Sequence, residues 1–246
     1  MRAVILAAGR GSRVKKLTED KPKCLIEFCG KPLLHWQLEA LNGAGISEIA
    51  VVTGYLNHRI AVPGVTLFHN AEWAETNMVR SLICARSWLE AEETIVSYAD
   101  IVYPADTVDT LKKTSGDLVI PFNTKWREVW DVRFSDPLAD AETFKIDAAG
   151  KLLEIGKRPH RFEDVEGQYM GLLKFSPTGW RNVAAHLNSL SPETVQKMDM
   201  TTLLQRSLGA GIPISTVPVA GRWFEVDSEA DLESYHALVK GPDQPW

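Results

Sequence analysis

Short unbroken apolar runs alternate with stretches whose apolar positions fall at helical spacing. Ala3 to Ala7, Ile49 to Thr53, Val65 to Phe68, Thr94 to Tyr98 and Leu118 to Phe122 read as buried strands. Between them Leu33, Leu34, Leu38, Leu41 and Ile46 mark a helix that Gly43 and Gly45 end. Val79, Leu82, Ile83 and Leu89 mark a second helix, with Asn77 placed to cap it, and residues 105–114 a third. Strand and helix in alternation predict an α/β fold, a Rossmann-like, mostly parallel open sheet with helices on both faces.

The pattern changes from about 123 to 170, where turns and short alternating strands (Thr143 to Ile146, Leu152 to Ile155) predict a small lid or insertion over the strand ends. Strand character returns over 169–175. Helices follow at about 177–190 and 200–209, then strands at Ile214 to Val217 and Trp223 to Val226. Asp227-Ser228 reads as a helix start, and Leu232, Tyr235, Leu238 and Val239 share one face of the last helix. Residues 1–240 are expected to form a single domain, with 241–246 as a tail.

Composition narrows the classes of partner. The 246 residues carry 27 Lys+Arg against 32 Asp+Glu, so no basic surface of the kind nucleic acid requires is expected. No apolar run approaches the ~18 residues of a membrane span, and the chain enters its first strand directly after Met1-Arg2. Cys24, Cys29 and Cys84 follow no zinc or redox spacing and read as reduced thiols of a cytoplasmic protein.

Against this acidic background, Leu6 to Lys23 stands out. It gathers Arg10, Arg13, Lys15, Lys16, Lys21 and Lys23 against only Glu19 and Asp20, on a small-residue loop leaving the first strand. Such a loop at a strand end is where open α/β sheets hold phosphates. Gly9 and Gly11 let the backbone approach a ligand. A dinucleotide fingerprint would need a further glycine where Val14 stands, and a Walker loop would need Gly-Lys-Ser/Thr, which is absent. Both common phosphate loops are excluded.

Gly9-x-Gly11-Ser12-Arg13, Leu17-Thr18, Pro22-Lys23, Gly30-Lys31-Pro32-Leu33-Leu34 and Gly54-Tyr55 together resemble the signature of nucleotidyltransferases that activate sugar phosphates and related compounds. Thr76-Asn77-Met78, Ser97-Tyr98-Ala99-Asp100 and Glu225-Val226-Asp227-Ser228 look most like the small phosphocholine or aminoalkylphosphonate cytidylyltransferases. The resemblance implies that Gly9, Gly11, Ser12 and Arg13 hold a triphosphate, that Lys23 reaches the attacked phosphate, and that Ala8, Asn77 and Ser81 read the base. It implies Mg²⁺ on Asp100 and Asp227, and an acceptor-phosphate contact from Lys157. It further implies CTP as nucleotide, a small phosphorylated or phosphonate amine as acceptor with phosphocholine foremost, and a place in cell-surface polysaccharide biosynthesis.

The chemistry is consistent with those roles. A phosphate whose second pKa is about 6 is already a nucleophile at neutral pH and needs no general base. Accordingly, His35, His58, His69, His160, His186 and His236 form no catalytic motif. For the acceptor's cation, Trp126 and Trp130 offer aromatic faces beside Asp131, Asp136, Asp140 and Glu142, with Gln168, Tyr169 and Asp199 as further candidates; core packing is the rival reading of the tryptophans. The rival activities are a sugar-1-phosphate nucleotidyltransferase and a non-catalytic nucleotide sensor. A glycosyltransferase would show an Asp-x-Asp motif that Ala99-Asp100-Ile101 lacks. A homodimer stays open.

Overall fold

Ala3 to Ala7 are all buried, which requires a strand covered on both faces. A computed structural model shows how. It describes residues 1–239, Gly241 and Pro245; the side chains of Ser12, Arg13, Lys15 and His236 lie outside the described residues. β1 (Arg2–Ala7) leads through a 3₁₀ segment, Ser12–Thr18, to a short hairpin of β2 (Glu27–Phe28) and β3 (Lys31–Pro32) and then to α1 (Leu33–Gly43). Next come β4 (Ile49–Thr53), β5 (Thr66–His69), α2 (Met78–Cys84), α3 (Arg86–Ala91), β6 (Thr94–Tyr98), β7 (Ile101–Val102), α4 (Ala105–Lys113) and β8 (Leu118–Asn123). The rest comprises α5 (Trp126–Arg133), a hairpin of β9 (Phe144–Ile146) and β10 (Leu152–Ile155), β11 (Gln168–Tyr169), β12 (Leu172–Phe175), α6 (Pro177–Asn188), α7 (Pro192–Lys197), α8 (Met200–Gly209), β13 (Ser215–Val219), β14 (Phe224–Glu225) and α9 (Glu229–Ser234).

β1 pairs in parallel with β4 on one edge and β6 on the other, and β5 extends the sheet beyond β4. Side chains alternate across β1: Ala3, Ile5 and Ala7 join the core shared with α1 and α4, whereas Val4 and Leu6 join that of α2, α6 and α8. The chain moves from β1 to β4 on one side and returns to β6 on the other. That reversal opens a crevice at the carboxyl ends of β1 and β6, the place where open α/β sheets bind ligands.

The expected α/β sheet is present, its parallel pairs joined by antiparallel ones: β11 and β12 run antiparallel to β8, and β12 also antiparallel to β6, while β13 rejoins β8 in parallel on its other edge. Three other expectations change. The stretch after Gly11 is 3₁₀ rather than open loop, entered through the left-handed backbone of Gly11 (φ 79°) and closed by Thr18 Oγ1 donating to the Val14 carbonyl (3.1 Å). The presumed helix at 177–190 ends at Asn188, because Ser191 caps a separate short helix begun by Pro192. The insertion begins with α5 instead of turns. Trp126, Val129 and Trp130 are buried at helical spacing, and Arg133 completes that stripe with a side chain only 1% exposed.

Candidate active site

The crevice holds a cleft of about 430 Å³ lined by Ala8, Gly9, Arg10, Gly11 and Lys23 on one side and Trp73, Asn77, Ser81 and Asp100 on the other. Its loop is fixed by the turn after β4. Tyr55 N donates to the Ala8 carbonyl (2.9 Å), and the Tyr55 hydroxyl donates to the carbonyls of Thr18 (2.8 Å) and Glu19 (3.1 Å). The Arg10 guanidinium lies over the Tyr55 ring. A Cβ on Gly11 would come within 3.0 Å of the Lys23 stem, so glycine there lets the lysine pass across the loop. Opposite, Asn77 Oδ1 accepts from Met78 N (2.8 Å) and Asn77 Nδ2 donates to the Lys197 carbonyl (3.2 Å). Buried Asn70 donates from Nδ2 to Ser81 Oγ and Thr76 Oγ1, both at 3.1 Å. It thereby holds the wall that Ser81 presents.

At the end of this cleft Lys23 Nζ donates to Asp100 Oδ2 (2.7 Å) and Asp227 Oδ1 (2.8 Å). Burial alone would lower the Lys23 pKa, but the two carboxylates outweigh it and hold the ammonium firmly protonated. Asp227 is oriented by the start of α9, where the amides of Asp227 and Ser228 both donate to Asp231 Oδ2 (2.8 Å each) and Ser228 Oγ accepts from Asp231 N. Arg133 locks the same group from α5. Its Nε donates to Asp231 Oδ1 (2.9 Å), Nη1 donates to Glu225 Oε2 (3.3 Å), and Nη2 pairs with Asp227 Oδ2 at 3.6 Å.

Beyond that junction lies a second cleft of about 180 Å³, which shares Tyr98 with the first. Every charged residue lining it is acidic: Asp140, Glu142, Glu225 and Asp227. Burial, reinforced by Asp199 and Asp140, raises the Glu142 pKa against a lowering hydrogen bond from Thr201. Burial together with Asp227 and Asp100 likewise raises Glu225. Trp130 Nε1, from a residue of this cleft, is buried without a hydrogen-bond partner among the described residues, as is Asp100 Oδ1. Groups left so normally await a ligand or water.

Asp100 and Asp227 suit a hard divalent cation. Mg²⁺ takes one or two carboxylates and completes its shell with substrate phosphates and water, and Asp100 Oδ1 is a buried oxygen with capacity to spare. The acidic pair already converges on one cation, the Lys23 ammonium.

Most residues expected from the sequence converge on these clefts. Ala8, Gly9, Gly11, Lys23, Asn77, Ser81 and Asp100 line the first, and Trp130, Gln168, Tyr169 and Asp227 the second. Three expected acceptor residues are not among their lining. Trp126 is buried against Trp130 and Phe162, so it is packing. Lys157 is exposed and pairs with Glu154. Asp199 is exposed and caps α8 by accepting from Thr202 N (2.7 Å). The side chains of Ser12 and Arg13 lie outside the described residues. Sequence reasoning assigns no site role to Asn70, Tyr98, Arg133 or Glu225, although Tyr98 and Glu225 stand within the motifs that carry the resemblance and Arg133 within the aromatic stretch that became α5.

A crevice at the switch point of an α/β sheet, with a glycine loop on one wall and a lysine between two aspartates at its end, is the architecture of an enzyme that works on a nucleoside triphosphate. The chain belongs to the MobA-like NTP transferase family, whose sequence model matches residues 3–156, and it is a nucleotidyltransferase. It is 38% identical to the CTP:phosphoglutamine cytidylyltransferase of Campylobacter jejuni across 95% of this chain and 98% of the relative. It is 29% identical to the 2-aminoethylphosphonate cytidylyltransferase of Lancefieldella rimae across 96% and 93%. The inositol-1-phosphate CTP transferase of T. maritima shares the fold, with a TM-score of 0.75 at 19% identity over 95% of this chain and 94% of that one. Among the described residues no helix is long and apolar enough to cross a membrane.

Proposed function

We propose that the protein transfers a cytidylyl group from CTP to a small amine-bearing phosphate or phosphonate, releasing pyrophosphate, and works in the cytoplasm. The observation that carries this reading is the pairing of a cleft bearing Arg10 and Lys23 with an acidic one, joined at Lys23, Asp100 and Asp227. The first suits a triphosphate. The second suits the cationic end of an acceptor whose phosphate lies at the junction. Phosphocholine, phosphoglutamine and aminoethylphosphonate all meet that description, and the full-length likeness to cytidylyltransferases acting on the last two supports it.

In the reaction an acceptor phosphate oxygen attacks the α-phosphorus of CTP in line. The new P–O bond forms as the bond to the β-phosphate bridging oxygen breaks, and pyrophosphate leaves with the electron pair. The nucleophile arrives ionised, so the protein has two anions to bring together and neutralise. The backbone of Gly9 and Gly11, with Ser12 and Arg13, holds the triphosphate. Lys23, kept protonated, offsets charge at the α-phosphate. Asn77, Ser81 and the backbone at Ala8 face the base, while Glu142, Gln168, Tyr169 and Trp130 face the acceptor. Mg²⁺ on Asp100 and Asp227 would add positive charge at the phosphates.

Incubation with each nucleoside triphosphate and a panel of phosphorylated amines and hexose 1-phosphates, followed by pyrophosphate release, tests the reading. Release with CTP and an amine is expected; release confined to a hexose 1-phosphate overturns it.

A further inference from the structure

We propose that the Lys23 ammonium holds the place of the divalent cation and yields it only when nucleotide phosphates draw the lysine away, so that metal and nucleotide enter together. This inference rests on the reading above that Asp100 and Asp227 carry the metal, and it adds the condition under which they can.

Lys23 Nζ lies 2.7 Å from Asp100 Oδ2 and 2.8 Å from Asp227 Oδ1. Mg²⁺ takes carboxylate oxygens at about 2.0–2.1 Å, so a metal shared by these two oxygens would need the space the ammonium fills. The other two oxygens offer no way round. Asp227 Oδ2 faces the Arg133 guanidinium at 3.6 Å. Asp100 Oδ1 is a single ligand on a carboxylate that already pairs with Lys23. A cation bridging both aspartates must therefore displace one of the two basic side chains.

Lys23 is the one able to leave. Arg133 has a side chain 1% exposed and is tied to Asp231 and Glu225 as well as Asp227. Lys23 carries its charge on a flexible stem that crosses the glycine loop at Gly11 and lines the first cleft with Arg10. The partners that could take its ammonium, the phosphates of a nucleotide, belong to that same cleft. Neither half of the exchange is favourable alone. Withdrawing Lys23 strands two largely buried carboxylates, and adding a dication beside Lys23 sets like charges against each other. With a triphosphate present, the ammonium gains phosphate oxygens as the carboxylates gain a dication, so every charge stays paired.

The test titrates Mn²⁺, which shares the preference of Mg²⁺ for carboxylate and water ligands, into the full chain without nucleotide, following the unbound ion by electron paramagnetic resonance. Lys23→Met keeps the length of the side chain and removes its charge. It is expected to bind Mn²⁺ at least about tenfold more tightly than the wild type, within the usual range of coupling between sites. Mg²⁺ should raise its melting temperature and leave that of the wild type unmoved. Adding Asp100→Asn to Lys23→Met should abolish the gain. Equal affinity in wild type and Lys23→Met overturns the exchange and leaves the cytidylyl-transfer reading intact. A gain that survives Asp100→Asn overturns the exchange together with the metal assignment. Should Lys23→Met fail to fold, the wild type decides: weak Mn²⁺ binding without nucleotide is expected, and tight binding of one Mn²⁺ that Asp100→Asn abolishes overturns the proposal. Turnover confined to hexose 1-phosphates would strike the choice of acceptor and leave the exchange at Lys23 standing.

Discussion

The two clefts that meet at Lys23 are built by different means. The first is largely backbone and small side chains from the carboxyl ends of β1 and β6 and the start of α2. The second is assembled from side chains far apart in the chain: Trp130 on α5, Glu142 in the following loop, Tyr169 on β11, Thr201 on α8 and Asp227 before α9. The first bears Arg10 and Lys23, and the second is lined by acids. One architecture can thus keep a constant nucleotide half while changing its acceptor half, because the acceptor walls hang on elements that need not move the sheet.

Substitutions should separate the halves, and those at the junction should not. Asp100→Asn or Lys23→Ala is expected to lower kcat by about 10²–10³ with every acceptor, the scale on which a charge-stabilising group matters to a transition state; initial rates at saturating substrates measure it, and an unchanged kcat would remove the junction from the chemistry. Arg133→Leu strands buried carboxylates and is expected to cost about 3–5 kcal/mol of stability, read as a lower urea midpoint. An unshifted midpoint would mean that the Arg133 cluster does not hold the acceptor wall. Glu142→Gln should raise the acceptor KM about tenfold, the loss of a charge-assisted hydrogen bond, and leave the KM for CTP alone. Asn70→Ala should do the reverse and more weakly, raising the KM for CTP about fivefold, as befits one neutral hydrogen bond behind Ser81.

Acidification offers a milder version of the Glu142 experiment. Because burial raises its pKa, Glu142 loses its charge at a higher pH than an ordinary carboxylate does. The acceptor KM is therefore expected to climb as pH falls, before any rise in the KM for CTP. In Glu142→Gln that climb should flatten; a climb of the same size in the variant would place the titrating group elsewhere.

The same division decided what could be read from sequence. β1, β4, β6 and α1 announce themselves by hydrophobic period, and Gly11, Lys23 and Asp100 sit in short motifs close to those elements. The acceptor half was harder. In α5 one of the four stripe positions is an arginine, which looks like a break in the pattern until Glu225, Asp227 and Asp231 arrive from nearly a hundred residues away to neutralise it. Trp126 and Trp130 looked alike in sequence; both pack in the core, and Trp130 also contributes to the lining of the second cleft. The direction of β11 and β12, and the separation of α7 from α6, depend on tertiary pairing and on a single Ser-Pro cap.

A crystal structure of the protein with its own reaction product tests the central claim most directly. The account expects the cytidine against Ala8, Asn77 and Ser81, the two phosphates beside Lys23, Asp100 and Asp227, and the amine among Glu142, Asp140 and Tyr169. Finding the amine end outside the acidic cleft, or the cytidine within it, would contradict the division of labour between the two halves.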